Sequence, residues 1–104
     1  MNKQIYSLGD YLRLRRKEEG LPLRKVAAQL DLDPSTLGKI EKNTRRASEE
    51  MIPKLAEIYA EDPMELYIMY HSDLIISAIG RLDYSARILE ATSHKLQPLK
   101  KQEP

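Results

Sequence analysis

Residues 21–43, LPLRKVAAQLDLDPSTLGKIEKN, restrict the architecture of this chain more than any other stretch. Leu23, Val26, Ala27 and Leu30 follow one another at offsets of three, one and three, which puts all four on one face of a short helix. Small Ala27 on that face permits a close crossing by a neighbouring helix. Asp31 and Leu32 make a turn. Asp33 is a natural N-cap and Pro34 a natural first helical residue, because its missing N–H would be unpaired there anyway. A second helix therefore starts at Pro34. Leu37 and Ile40 point it inward, and Ser35, Thr36, Gly38 and Lys39 are left on its outer face. Asn43, tolerant of a left-handed backbone, ends it. Any α-hairpin can show such a pair, so the flanking segments decide what it means.

Upstream, residues 7–19 place Leu8, Tyr11, Leu12 and Arg15 on one stripe, and Gly20 closes that helix as a C-terminal cap. Downstream, Ser48 is expected to cap a fourth helix without a full capping box, with Ile52, Leu55, Ile58 and Tyr59 as its buried stripe. Asp62 and Pro63 repeat the cap-and-proline start, and Met64, Leu66, Tyr67 and Tyr70 begin a fifth helix. The expected fold class is all-α, five short helices within the first 70 or so residues.

Over roughly residues 5–70 these features resemble the lambda-repressor-like, or Xre-type, helix-turn-helix family. The resemblance implies a five-helix DNA-binding domain whose third helix is the recognition helix. In that family an arginine of the first helix pairs with a glutamate at the end of the recognition helix, and Arg16 and Glu41 stand at the matching positions. Base reading falls, by the same resemblance, to Ser35, Thr36 and Lys39, with Gly38 allowing close approach. Lys39 can donate to guanine O6 or N7, and the Thr36 methyl can touch thymine. Short readers leave part of any specificity to DNA shape. The loop after the recognition helix lies along the sugar-phosphate backbone in the family, which makes Lys42, Asn43, Thr44, Arg45 and Arg46 the expected phosphate donors. Two departures alter the contact scheme. Pro22 and Leu23 replace the usual Thr-Gln at the start of the second helix, so Arg24 and Lys25 become the nearest phosphate-binding candidates. Asp31 stands where the family has a turn glycine, and Asp can enter the left-handed region there at modest cost.

Charge is distributed as phosphate binding would favour. The 104 residues carry a formal charge of only +1, but residues 1–47 sum to +5 and residues 48–104 to −4. Cations near phosphates release condensed counterions, which favours binding by the basic half. An ordinary solvated mixture of charges remains the alternative for Arg13, Arg15, Arg16 and Lys17. The chain has no cysteine, which excludes disulfides and thiolate chemistry, and no signal-peptide or membrane-length apolar run. A cytoplasmic protein without a membrane partner is expected.

Beyond the core, Ile75, Ile79, Leu82, Ala86, Leu89, Ser93 and Leu96 alternate in spacings of four and three, a heptad seam. Gly80 followed by Asp83 looks like a helix end and a new cap, so the expectation is a fifth helix from Pro63 to about Ile79. A last helix is expected from Asp83 to about Gln97. The expected organisation is a DNA-binding domain over residues 1–70, a dimerisation extension over 71–97 and a frayed tail over 98–104. Ile75, Ile79, Leu82, Ala86, Leu89 and Leu96 would form a homodimer interface, with Tyr70 and Tyr84 in the same region. The long extension also resembles the controller proteins of restriction-modification systems.

Nothing points to catalysis, a cofactor or a metal. His71 and His94 lie twenty-three residues apart with no carboxylate at ligand spacing, and Glu49 and Glu50 suit the start of a helix through its dipole. The function expected is a sequence-specific, homodimeric transcriptional regulator on double-stranded DNA with a roughly palindromic operator. The alternative is an antitoxin-type or other interaction module whose C-terminal helices bind a partner protein.

Overall fold

The computed structural model describes residues 3–101, which form helices and turns with no strand among them. A 3-10 turn, Lys3–Ile5, precedes α1 (Leu8–Glu18), α2 (Leu23–Gln29) and α3 (Pro34–Glu41). A second 3-10 turn, Glu49–Met51, leads into α4 (Ile52–Tyr59), followed by α5 (Pro63–Ile79) and α6 (Ser85–Lys101). Contacts divide the chain into two compact units, Met1–Asp73 and Leu74–Pro104.

The first unit encloses the core. Leu8, Tyr11 and Leu12 from α1, Val26 and Ala27 from α2, and Leu37 and Ile40 from α3 are buried together. Ile52, Leu55, Ala56 and Tyr59 from α4, and Leu66 and Met69 from α5, complete it. Each contributes its i, i+3 or i, i+4 face, as periodicity requires of helices that surround one core. Both expected left-handed residues adopt that backbone: Asp31 turns α2 into α3 at φ 60°, and Asn43 ends α3 at φ 63°. Gly20, at φ 65°, closes α1, where a residue with a Cβ would be strained. Ala60 is left-handed as well, at φ 52°; nothing in its local sequence announces this.

Four expectations change. Ser48 does not cap a fourth α-helix. Its hydroxyl donates to the Glu50 carboxylate, and the chain makes the 3-10 turn first, so that α4 begins at Ile52 with Pro53 in its first turn. Tyr70 packs against the core of its own domain, because it follows Leu66 by one helical turn on the buried face of α5. The last helix starts at Ser85, not Asp83: Ser85 N–H donates to Leu82 O at 3.1 Å and Ile88 N–H to Tyr84 O at 3.1 Å, so residues 83 and 84 belong to the turn. Finally, α6 continues through Pro98 to Lys101 where a frayed tail was expected from residue 98. Proline holds φ at about −65°, within the helical range, so near a helix end it removes a hydrogen bond without reversing the chain. The rest of the expected tail, residues 102–104, lies outside the described residues.

In the second unit, the turn after Ile79 interrupts the heptad seam. Ile75, Leu82, Leu89 and Leu96 are between 37% and 48% exposed, Ala86 is exposed, and Ile79 is half-buried. Leu99 extends the apolar stripe of α6 and is more exposed still.

Candidate nucleic-acid interface

The outer face of α3 is held in place from behind. Arg16 of α1 donates from Nε to Glu41 Oε2 at 2.8 Å and from Nη2 to Oε1 at 3.0 Å, a two-pronged pair. Its Nη1 donates to the Leu21 carbonyl at 3.0 Å, so one guanidinium joins α1, the segment before α2 and the last residue of α3. Glu41 is only 3% exposed, and Arg is suited to this position because its planar fork matches a carboxylate. The Tyr59 ring is buried nearby. Burial first, and then the Glu41 charge, push its phenol up to about 12, and its hydroxyl makes no hydrogen bond among the described residues.

With Leu37, Ile40 and Glu41 turned inward, α3 leaves Ser35 and Lys39 exposed and Thr36 and Gly38 half-buried. Gly38 is not demanded by packing. A Cβ there would meet only Leu23 Cδ2 at 3.6 Å, an ordinary contact. An open, polar cleft beside the start of α3 is lined by Ala28, Asp31, Leu32, Asp33, Thr36 and Arg45, so Thr36 of the helix and Arg45 of the following loop share one surface.

The expected phosphate donors divide into three groups. Arg24, Lys25, Lys42 and Arg45 are exposed and make no ion pair among the described residues, as does Lys39. Arg46 is exposed too but lies within electrostatic reach of Asp73. Asn43 and Thr44 have internal partners. The Asn43 amide donates to Asp10 Oδ1 at 2.8 Å, and the Thr44 hydroxyl donates to Lys39 O at 3.2 Å. Asn43 therefore spends its side chain on α1, a role that cap propensity alone did not indicate.

Several residues that hold the site together escaped the sequence reading. Gly9 lies where α1 meets the end of α3, and a Cβ at that position would overlap the Ile40 carbonyl oxygen and the Asn43 side chain. A glycine in the first turn of a helix, a poor helix former in that place, was the available signal. Asp73 of α5 accepts the Leu8 N–H at 2.8 Å and so caps the start of α1. Burial raises its carboxyl above the usual range, although that hydrogen bond and Arg46 pull the other way. Glu61 gathers Lys3 Nζ at 3.1 Å, Tyr11 Oη at 2.6 Å and Arg15 Nε at 2.8 Å. Arg15 also donates to the Tyr59 carbonyl at 2.8 Å, at the end of α4. Burial alone would raise the Glu61 carboxyl, but these donors outweigh it and hold it below its ordinary value. His71 lies 3.4 Å from Glu49 in solvent and stands edge-on to the Tyr70 ring, centroids 5.2 Å apart.

The second helix of the pair is thus locked from behind by Arg16 and Glu41, with Lys39 exposed on it and Arg45 open beside Thr36. Residues 12–66, more than half of the chain, match the family model described as helix-turn-helix. The chain belongs to the Xre-type, lambda-repressor-like helix-turn-helix family, and is a DNA-binding regulator of that general kind. No curated protein and no solved structure matches it. Among the described residues no helix is long and apolar enough to cross a membrane, and no group of three or more His, Cys, Asp or Glu could hold a metal ion.

Proposed function

We propose that this protein is a homodimeric transcriptional regulator that places one α3 in the major groove of each half of a roughly palindromic operator. The carrying observation is the combination on α3 of an exposed Ser35–Thr36–Lys39 edge with the Arg16–Glu41 pair behind it. A rigid helix with short outer side chains and one mobile ammonium can approach base edges closely, and Gly38 adds room. In this reading Ser35, Thr36, Gly38 and Lys39 meet the bases, while Arg24, Lys25, Lys42, Thr44, Arg45 and Arg46 meet phosphates, where they fix register without reading sequence. The protein acts in the cytoplasm by occupancy of DNA, without a cofactor and without catalysis.

One recognition helix covers few base pairs, and two-fold copies spaced a helical turn apart are the usual solution. Ile75, Ile79, Leu82, Ala86, Leu89 and Leu96 are the surface proposed for pairing. The exposed leucines of α6 support this, since apolar side chains at helical spacing are costly to leave in water. In the alternative reading, an antitoxin-type module, a partner protein would use the same stripe.

In vitro selection from random duplex DNA at two salt concentrations tests the proposal. Enrichment of an inverted repeat supports a dimeric regulator. Salt-sensitive retention with no enriched motif removes sequence-specific reading and favours the partner-binding alternative.

A further inference from the structure

The start of the segment after α3 is fastened to two helices. On the α3 side, the Lys39 carbonyl accepts Thr44 N–H at 3.0 Å, Arg45 N–H at 3.3 Å and the Thr44 hydroxyl at 3.2 Å. On the α1 side, Asn43 reaches across to Asp10, 33 residues away in sequence, with a bond of 2.8 Å. Asp10 is itself set in the first turn of α1, where its N–H donates to the Ser7 hydroxyl at 3.2 Å. Gly9, its neighbour, lets α1 come down onto the Ile40 carbonyl and the Asn43 side chain.

Asp10 and Asn43 are both exposed, so water could satisfy either group, and their bond is not needed to avoid a buried orphan. An exposed hydrogen bond of this kind contributes little to stability. Its consequence is geometric: it holds a left-handed residue, Asn43 at φ 63°, at the point where the chain leaves the recognition helix and enters the run of Thr44, Arg45 and Arg46. Asp10 is also an anion on the basic half of the protein, and simple Coulomb repulsion makes such a residue unfavourable near DNA.

We propose that Asp10 and Asn43 form a positioning clamp, with Gly9 as its seat, that orients residues 44–46 toward the sugar-phosphate backbone, so that affinity for DNA depends on a carboxylate that repels DNA. The inference rests on the phosphate-binding role proposed for this loop. Asp10 and Asn43 are positioning residues, and neither donates to a phosphate.

The sign of the Asp10 effect separates this from electrostatics. With a fluorescently labelled mixed-sequence duplex and the full chain, anisotropy titrations over a range of salt concentrations give affinity and salt slope, and thermal melts report folding. Asp10→Ala is expected to weaken binding by about five- to tenfold and to make the salt slope shallower by about one, the signature of a lost phosphate contact. Asp10→Asn keeps an acceptor for the Asn43 amide and should restore most of the affinity. Asn43→Gly keeps the left-handed backbone without the amide and should reproduce the loss while the protein still melts cooperatively. Asp10→Ala binding as tightly as the unaltered protein, or more tightly, overturns the clamp. So does a weaker binding that keeps the parental salt slope in both Asp10→Ala and Asn43→Gly. Absence of salt-dependent binding by the unaltered protein overturns the phosphate-binding reading and the clamp together.

Discussion

At the scale of single residues, identical chemistry does different work according to its surroundings. Arg16 and Arg45 carry the same guanidinium, but the first is half-buried against the buried Glu41 and the second lies open beside Thr36. Breaking a buried pair from one side leaves a desolvated charge unmatched. Arg16→Ala or Glu41→Ala is therefore expected to lower unfolding free energy by about 3 to 5 kcal/mol, measured by urea denaturation; a loss under 1 kcal/mol would class the pair with ordinary surface bridges. Among the open cations, position predicts the readout. Lys39→Ala should cost about 1 to 3 kcal/mol at one base position and relax preference there, whereas Arg45→Ala should weaken binding to all duplexes alike and flatten the salt slope by about one. Uniform weakening for Lys39→Ala in titrations against a panel of single-base variants would show that it touches phosphate instead.

At the scale of elements, two glycines, one in the α1–α3 contact and one on the outer part of α3 near Leu23, make a matched experiment. Gly9 sits where a Cβ would collide with backbone, so Gly9→Ala should lower the melting temperature despite the better helix propensity of alanine. Gly38 has room for a Cβ, so Gly38→Ala should stabilise the fold by up to about 1 kcal/mol and yet weaken DNA binding if bases approach that face. Stabilisation with unchanged affinity would remove Gly38 from the contact surface. The apolar stripe of α6 is the other element-scale test. Leu89→Asp should give monomers by analytical ultracentrifugation, with residues 3–73 still folded by circular dichroism, because no core residue of the first unit belongs to α6. A dimer that survives this change would place the pairing surface elsewhere. Both elements were legible from spacing: the seam read through Gly80, and the break there, were visible together. The starting residue of α6 was not, since Asp83 has cap propensity but Leu82 and Tyr84 supply the carbonyls that begin the helix.

At the scale of the whole molecule, Glu61 ties together parts of the chain that no local pattern relates. Its carboxylate holds Lys3, Tyr11 and Arg15 at once, and its folded pKa lies below the ordinary 4.5. A depressed carboxyl contributes stability above its unfolded pKa, and that contribution disappears as pH falls through the folded value. Thermal midpoints should therefore drop on acidification from about pH 5 to about pH 3, and the drop should be smaller in Glu61→Gln, which is already less stable at neutral pH. Parallel curves for the two proteins would assign the acid sensitivity to other carboxylates. The six helices, their order, the left-handed cap at Asn43 and the outward edge of α3 followed from the sequence alone, because each depends on neighbours within about four residues. The Arg16–Glu41 pair was reached only through likeness to a family. Contacts such as Asp73 on the Leu8 amide, 65 residues apart, and Asn43 on Asp10, 33 apart, were decided by the tertiary structure. Exposed polar side chains have many partners of suitable chemistry, and only the packing of α1 against α3 and of α5 against the same core selects which of them meet.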